Sequence, residues 1–205
     1  MRKLLAAPDP SRADEEVGAT ARDYFHAVVG DRTPRELQEA FLDAGPRLVD
    51  ALLADEAIEL EPFAWPDYFG AVPGAATVRQ VRPRPLDRRA LGPLADLVRP
   101  PLKVERSGTA PAEEMVGGQA LIARLLLALS RLPAATLRTS VPVIGLRTDA
   151  AGRVSGVLLE GADGPRPVGA RLGVVVAAGG FERNARMRAE HGVAGVVEGS
   201  MGCPG

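Results

Sequence analysis

Cysteine is almost missing from this chain: Cys203 is the single one in 205 residues. An internal disulfide framework is therefore excluded, a cysteine-based zinc site cannot form, and a reducing, cytoplasmic setting is the expectation. Histidine is nearly as scarce, and His26 and His191 stand at no metal-ligand spacing and beside no triad partner. Charge of one sign is also lacking, since 25 basic residues face 26 acidic ones. No global field draws the chain to nucleic acid or to an anionic membrane surface. Long apolar runs are absent too: Leu121 to Leu132 is broken by Arg124 and Arg131, and Gly173 to Ala178 is too short to cross a bilayer. The opening Met1 to Ala7 turns to Pro8, Asp9 and Pro10 before a signal-peptide core accumulates, so no targeting segment is expected. Neither repeats nor low-complexity tracts occur outside one Pro/Arg-rich stretch.

What is present is a chain 46% hydrophobic, enough for one domain or a domain with an appendage. Between Asp14 and Val29 the residues Val17, Ala21, Tyr24, Phe25 and Val28 recur at helical spacing, and Gly30 ends the pattern. Thr33 then reads as a cap before Pro34, with Glu36 three residues on and Leu37, Phe41 and Leu42 as a buried stripe. Gly45 and Pro46 are expected to break this helix, with a shorter one over 47–54 turning Leu48, Val49, Leu52 and Leu53 inward. Ile58 to Phe63 alternates like a strand. From Pro62 to Pro111 prolines and arginines are too dense for long elements, and so extended a loop usually binds something or lies against another part of a molecule. The arginines at 82–89 read as a solvated face.

After Gly117 and Gly118 the leucines 121, 125 and 129, with Ile122 and Leu126, predict an amphipathic helix over 119–131 that Pro133 terminates. The period then becomes two: Thr136 to Thr139, Val141 to Thr148 and Val154 to Glu160 read as antiparallel strands joined at Asp149 to Gly152. The unbroken apolar run Gly173 to Ala178 predicts a strand buried on both faces of a parallel sheet, delivering Gly179 and Gly180. Glycines after such a strand let a nucleotide approach and free backbone N–H groups for its oxygens. An ordinary turn that requires positive φ explains the same pair.

The order of these pieces carries a resemblance. Gly117-Gly118 opening a helix, an antiparallel excursion, then Ala177, Ala178, Gly179, Gly180, Phe181 and Asn184, and finally Gly-Ser-Met-Gly-Cys-Pro-Gly at 199–205, resemble FAD-dependent oxidoreductases of the 3-ketosteroid Δ1-dehydrogenase and fumarate reductase type. Pro66-Asp67-Tyr68-Phe69 with Pro73-Gly74, and Ala-Phe-Leu-Asp-Ala-Gly-Pro at 40–46, are similar to the same family more loosely. The resemblance covers most of the chain from about Asp23.

It implies an α/β (mixed α+β) fold, a partial FAD-binding Rossmann-like domain with an antiparallel β excursion and an N-terminal helical region. Its parts would be 1–115, helical and proline-rich beside the substrate, and 116–205, the second half of the FAD-binding domain. It implies a dehydrogenase that passes a hydride from a steroid-like substrate to flavin N5, with Tyr68 in a supporting proton-transfer role. Cofactor contacts would come from Val143, Ala178, Gly179, Gly180, Ser200, Gly202 and Gly205, with no metal. For Tyr68 an aromatic anchor of a proline-rich turn, and for Val143 a plain core valine, explain the residue equally well.

The chain departs from the family where Gly-x-Gly-x-x-Gly is expected, because no such motif occurs. The isolated chain is therefore expected to be an inactive piece, with a separate chain or flanking sequence supplying the segments it lacks. Alternatives are a fumarate reductase or succinate dehydrogenase-like flavoprotein, whose dicarboxylate substrate wants clustered Arg and His that are not evident, and a non-catalytic remnant or interaction domain.

Overall fold

The computed structural model describes residues 10–197, with side chains described from residue 20. Contacts divide the chain between Ala135 and Thr136 into two units, each described by itself. As expected, helices are mixed with small sheets, and every paired strand among the described residues is antiparallel.

In the first unit, α1 (Pro10–Val29) ends as the periodicity predicts, with Gly30 at φ 61°. Arg32 folds back to donate from Nε to the Val29 carbonyl at 3.0 Å and from its fork to Val28, satisfying carbonyls that a helix end leaves open. The second helix, α2 (Arg35–Leu53), differs from expectation in three ways. It is continuous, with Pro46 inside it, and Arg47 Nε donates to the Asp43 carbonyl at 3.1 Å, next to the site where proline removes a rung. Its N-cap is Pro34, with no side-chain cap, rather than Thr33. Its expected apolar stripe is largely exposed at Leu37, Phe41, Leu48 and Leu53, while Gln38 is buried. Gln38 is tolerated there because Nε2 donates to the carbonyls of Gly30 and Thr33 at 2.9 and 2.7 Å and Oε1 meets His26 Nδ1 at 2.8 Å. His26 thus links α1 to α2, its Nε2 lying 2.9 Å from Glu39. Arg22 reinforces the link by pairing with Glu39 and Asp43, and Phe25 stacks on Phe41.

Strands β1 (Leu60–Phe63) and β2 (Gln80–Pro83) then form an antiparallel pair. Glu61 sits opposite Arg82, whose Nε donates to it at 2.8 Å, so the register places opposite charges across the ladder. β3 (Leu86–Asp87) leads into 3-10 turns over Arg88–Leu97 and pairs with β4 (Glu114–Met115), with α3 (Leu102–Ser107) between. The arginines of 82–89 are not merely solvated: Arg82, Arg84 and Arg89 pair with Glu61, Glu59 and Asp87, and Arg88 bonds the Ala95 carbonyl.

The core is small. Leu91, Ala95, Val98, Met115 and Ala123 close on one another with Leu86, Leu94 and Leu126 against them. The last helix of this unit, α4 (Gly117–Ser130), buries Ala120, Ala123 and Arg124, whereas Ile122 and Leu125 stay partly exposed. The predicted helix is present, but its buried face is the alanine face, since alanines allow a backbone to approach the 3-10 turns and β2 to β4.

Arg124 is the unit's tie. Only 3% exposed, it donates to the carbonyls of Ala57 (2.9 Å), Arg84 (3.1 Å) and Pro85 (3.3 Å) and to Glu59 Oε1 (3.1 Å). A planar fork of five donors suits four acceptors arriving from two chain segments.

In the second unit β5 (Val143–Thr148), β6 (Val154–Leu159) and β7 (Arg166–Gly169) form a meander, with bulges between Val143 and Gly145 and between Arg147 and Thr148. The predicted turn at Asp149 is present: its Oδ1 accepts from the N–H groups of Ala151 and Arg153, each at 3.0 Å. Residues 136–139, expected as a strand, have no strand partner. Neither does Gly173 to Ala178, which overturns the expectation of a buried parallel strand: among the described residues it pairs with nothing, and Val175 and Val176 are 94% and 67% exposed. A strand needs neighbours to satisfy its backbone, and the described strands are paired with one another in antiparallel sheets. α5 (Ala185–Glu190) follows, capped by Asn184 Oδ1 accepting from Met187 N–H at 3.0 Å.

Arg124→Met is expected to lower unfolding stability by about 3 kcal/mol because three carbonyls and a carboxylate lose their donor at once. Urea midpoints at unchanged slope measure it. A second expectation concerns acid. The hydrogen bond from Arg82 holds Glu61 below its ordinary value, and the bonds from Arg89 hold Asp87 below its own. Their contributions are complete above the ordinary carboxylate range and disappear as pH falls through the lowered values. Glu61→Gln should therefore flatten the acid limb of a stability–pH curve in that window, as read by circular dichroism.

Candidate functional site

The residues expected to serve a site fall in different units. Tyr68 lies in the first, on the connection between β1 and β2, and is 87% exposed. Val143 opens β5 in the second unit, opposite Leu159, and is 60% exposed, so it is not a plain core valine within its unit. Ala178, Gly179 and Gly180 follow the unpaired Val175 and Val176 as exposed backbone. Ser200, Gly202 and Gly205, like Cys203, lie outside the described residues.

The two glycines of the turn differ physically. Gly179 has φ 75°, a left-handed conformation that disfavours any Cβ, and nothing stands within 4 Å of the place a Cβ would take. At Gly180 a Cβ would meet only the tip of the Glu182 side chain, at 2.6 Å, which can swing away. Within the described residues the conformation of Gly179 therefore accounts for one glycine, and the space above the turn is open. Unpaired backbone beside open space is what an anionic nucleotide group requires of a turn, so these residues fit one wall of a cofactor site. Phe181 and His191 flank it, their rings 5.3 Å apart, and Arg188 Nη1 donates to the Glu182 carbonyl at 3.2 Å.

Around Tyr68 the geometry is more closed than the sequence indicated. Asp67 N–H donates to the Ala76 carbonyl at 2.9 Å and Ala76 N–H donates back to Asp67 Oδ2 at 2.9 Å. Arg79 Nε lies 3.1 Å from the same carboxylate, and its fork donates to the Gly74 carbonyl. Tyr24 on α1 accepts the Phe69 N–H at 3.2 Å and lies under the Arg79 guanidinium, 5.2 Å from ring centroid to Cζ. Gly74, at φ 85°, comes so near α1 that a Cβ would stand 2.8 Å from the Thr20 carbonyl oxygen. Sequence reasoning singled out Tyr68 and Gly74 and missed Tyr24, Asp67 and Arg79 as a group. The one available signal was an acid directly before the tyrosine, which has no meaning until the fold brings Arg79 to it. No group of acids, histidines and cysteines able to hold a metal occurs among the described residues. No described helix is long and apolar enough to cross a membrane.

A family profile described as an FAD binding domain matches residues 4–205. A 3-oxosteroid 1-dehydrogenase of Rhodococcus opacus is 36% identical over 190 residues, covering 90% of this chain and 36% of that protein. Another from Mycolicibacterium smegmatis is 31% identical across 83% of this chain and 37% of its own length. The chain thus spans little more than a third of the curated relatives it matches. Among solved structures, 3-ketosteroid delta1-dehydrogenase from Sterolibacterium denitrificans, in complex with 1,4-androstadiene-3,17-dione, superposes with a TM-score of 0.70 at 24% identity, over 84% of this chain and 39% of that one. That likeness is one of fold.

Gly179→Ala is expected to cost about 1 kcal/mol through its left-handed backbone, and Gly180→Ala distinctly less. Denaturation of the two variants side by side checks the order.

Proposed function

The chain belongs to the FAD binding domain family, and from that premise we propose that it is the cofactor-proximal part of a flavin-dependent 3-ketosteroid Δ1-dehydrogenase. The observation that carries the reading is the match to two 3-oxosteroid 1-dehydrogenases at 31 to 36% identity over more than four fifths of this chain. The substrate class is a steroid ketone, and the setting is the cytoplasm.

When bound, FAD would supply the acceptor for the hydride, which carries both electrons removed from the substrate. The chain's own residues do the rest. The turn at Ala178 to Gly180 would offer N–H groups to phosphate or ribityl oxygens, and the backbone at Val143 would hold the adenine end. Tyr68 stands at the substrate side as a proton acceptor or relay, a role a phenol performs only with donors or cations near it. Arg79, on the same connection, is a cation tied into that segment.

The exposed valines support the incompleteness of this piece. Leu172, Val175 and Val176 present apolar surface of a kind that folded proteins cover, and the portions of the relatives that this chain does not match are the natural cover. They are supplied by the same longer protein or by a separate chain. Alone, the 205 residues bind FAD weakly and turn over no steroid.

Co-expression with the unmatched portions of a 3-oxosteroid 1-dehydrogenase relative, followed by gel filtration and a visible spectrum, tests the reading. A flavin band co-eluting with both chains is expected, with none on this chain alone. A colourless complex, or stoichiometric flavin on the chain by itself, would overturn it.

A further inference from the structure

The connection between β1 and β2, residues 64–79, is long for a strand pair and carries Trp65, Tyr68 and Phe69 outward. Yet it is tied at both ends. Asp67 and Ala76 exchange two hydrogen bonds, one through the backbone and one through the carboxylate. Inside that ring Val72 N–H donates to the Phe69 carbonyl at 2.9 Å and Ala75 N–H to Val72 at 3.1 Å. The same carboxylate, its side chain 9% exposed, faces Arg79, 20% exposed. Arg79 reaches Gly74 and covers the Tyr24 ring, and the Tyr24 hydroxyl receives the N–H of Phe69, the residue directly after Tyr68.

We propose that Asp67 and Arg79 are positioning residues that clamp the 67–76 loop onto α1 and so fix where Tyr68 is presented, with Tyr24 as the dock. The inference rests on the reading of Tyr68 given above for its consequence in catalysis, but not for the clamp itself. Two arrangements of charge and shape coincide here. A carboxylate enclosed to this degree is stable only with Ala76 N–H as its donor and the Arg79 guanidinium as its counter-charge. And Gly74 allows a backbone approach to Thr20 that any side chain would prevent. A loop that only connected two strands would need neither. The Tyr68 side chain, 87% exposed, stands outside the clamp and is open to a substrate.

The chain contains two tyrosines, so labelling with 3-fluorotyrosine gives one fluorine resonance for the dock and one for the presented residue. Asp67→Ala is expected to shift both and to raise the rate of chymotryptic cleavage after Tyr68 and Phe69 about tenfold, because cleavage follows the open population of the loop. Asp67→Asn, which keeps an oxygen for Ala76, should recover much of the protection. If the Ala variant does not fold, Tyr24→Phe removes only the acceptor of Phe69 and should raise the same cleavage. Unchanged cleavage and resonances in Asp67→Ala and Tyr24→Phe would overturn the clamp. In the complex completed with relative segments, the clamp predicts a fall in kcat for Asp67→Ala that Asp67→Asn partly restores. If the loop opens but neither Asp67→Ala nor Tyr68→Phe lowers kcat, the clamp stands and the catalytic reading of Tyr68 falls. If Tyr68→Phe lowers kcat while Asp67→Ala alters neither loop nor kcat, the reading stands and the clamp falls.

Discussion

A guanidinium with almost no access to water holds the first unit together. Arg124 arrives from a helix whose other buried residues are alanines, and it meets three carbonyls and a carboxylate from the segments around residues 57–59 and 84–85. Those segments flank the β1–β2 pair. The position of that pair, and of the loop it carries, therefore depends on a charged side chain that the apolar core, small as it is, does not replace. Burying a cation this deeply is tolerable only because each acceptor is a group that would otherwise need water. The same logic recurs at Gln38 and Asp67, so polar ties rather than apolar mass set the geometry of this unit.

Much of the local structure was legible because it follows from short-range rules. The end of α1 at Gly30, the Asp149 turn and the hairpin of β5 and β6 needed only periodicity and turn chemistry. The buried faces were not legible. Leu37, Phe41 and Leu48 have helical spacing and remain exposed, while Gln38 and Arg124 are inside, because which face of a helix is covered depends on what lies opposite it. Pro46 did not break α2, since a proline inside a helix costs one rung and a clash that the rest of the helix can outweigh.

The apolar run at 173–178 is the most instructive departure. Its composition asks for a two-sided burial that the described residues do not provide, and the glycine at 179 is explained by its own backbone rather than by a collision with anything present. Family membership therefore rests on the match over residues 4–205 and on the order of the motifs, not on the strand that first suggested it. What the segment contributes is open backbone, exposed valines and a left-handed turn in one place. Of the proposed site residues, Tyr68 and the glycine pair were marked by motifs in the sequence. The clamp beneath Tyr68 was not, because Asp67 and Arg79 meet only through the fold.

Hydrogen–deuterium exchange at residues 173–180, in the chain completed by its relatives' unmatched segments, with and without FAD, addresses the central claim most directly. Fast exchange in the single chain should give way to strong protection in the complex, deepened further at Gly179 and Gly180 by FAD. Exchange there that stays fast in the completed, flavin-loaded complex would contradict the assignment of this turn to the cofactor.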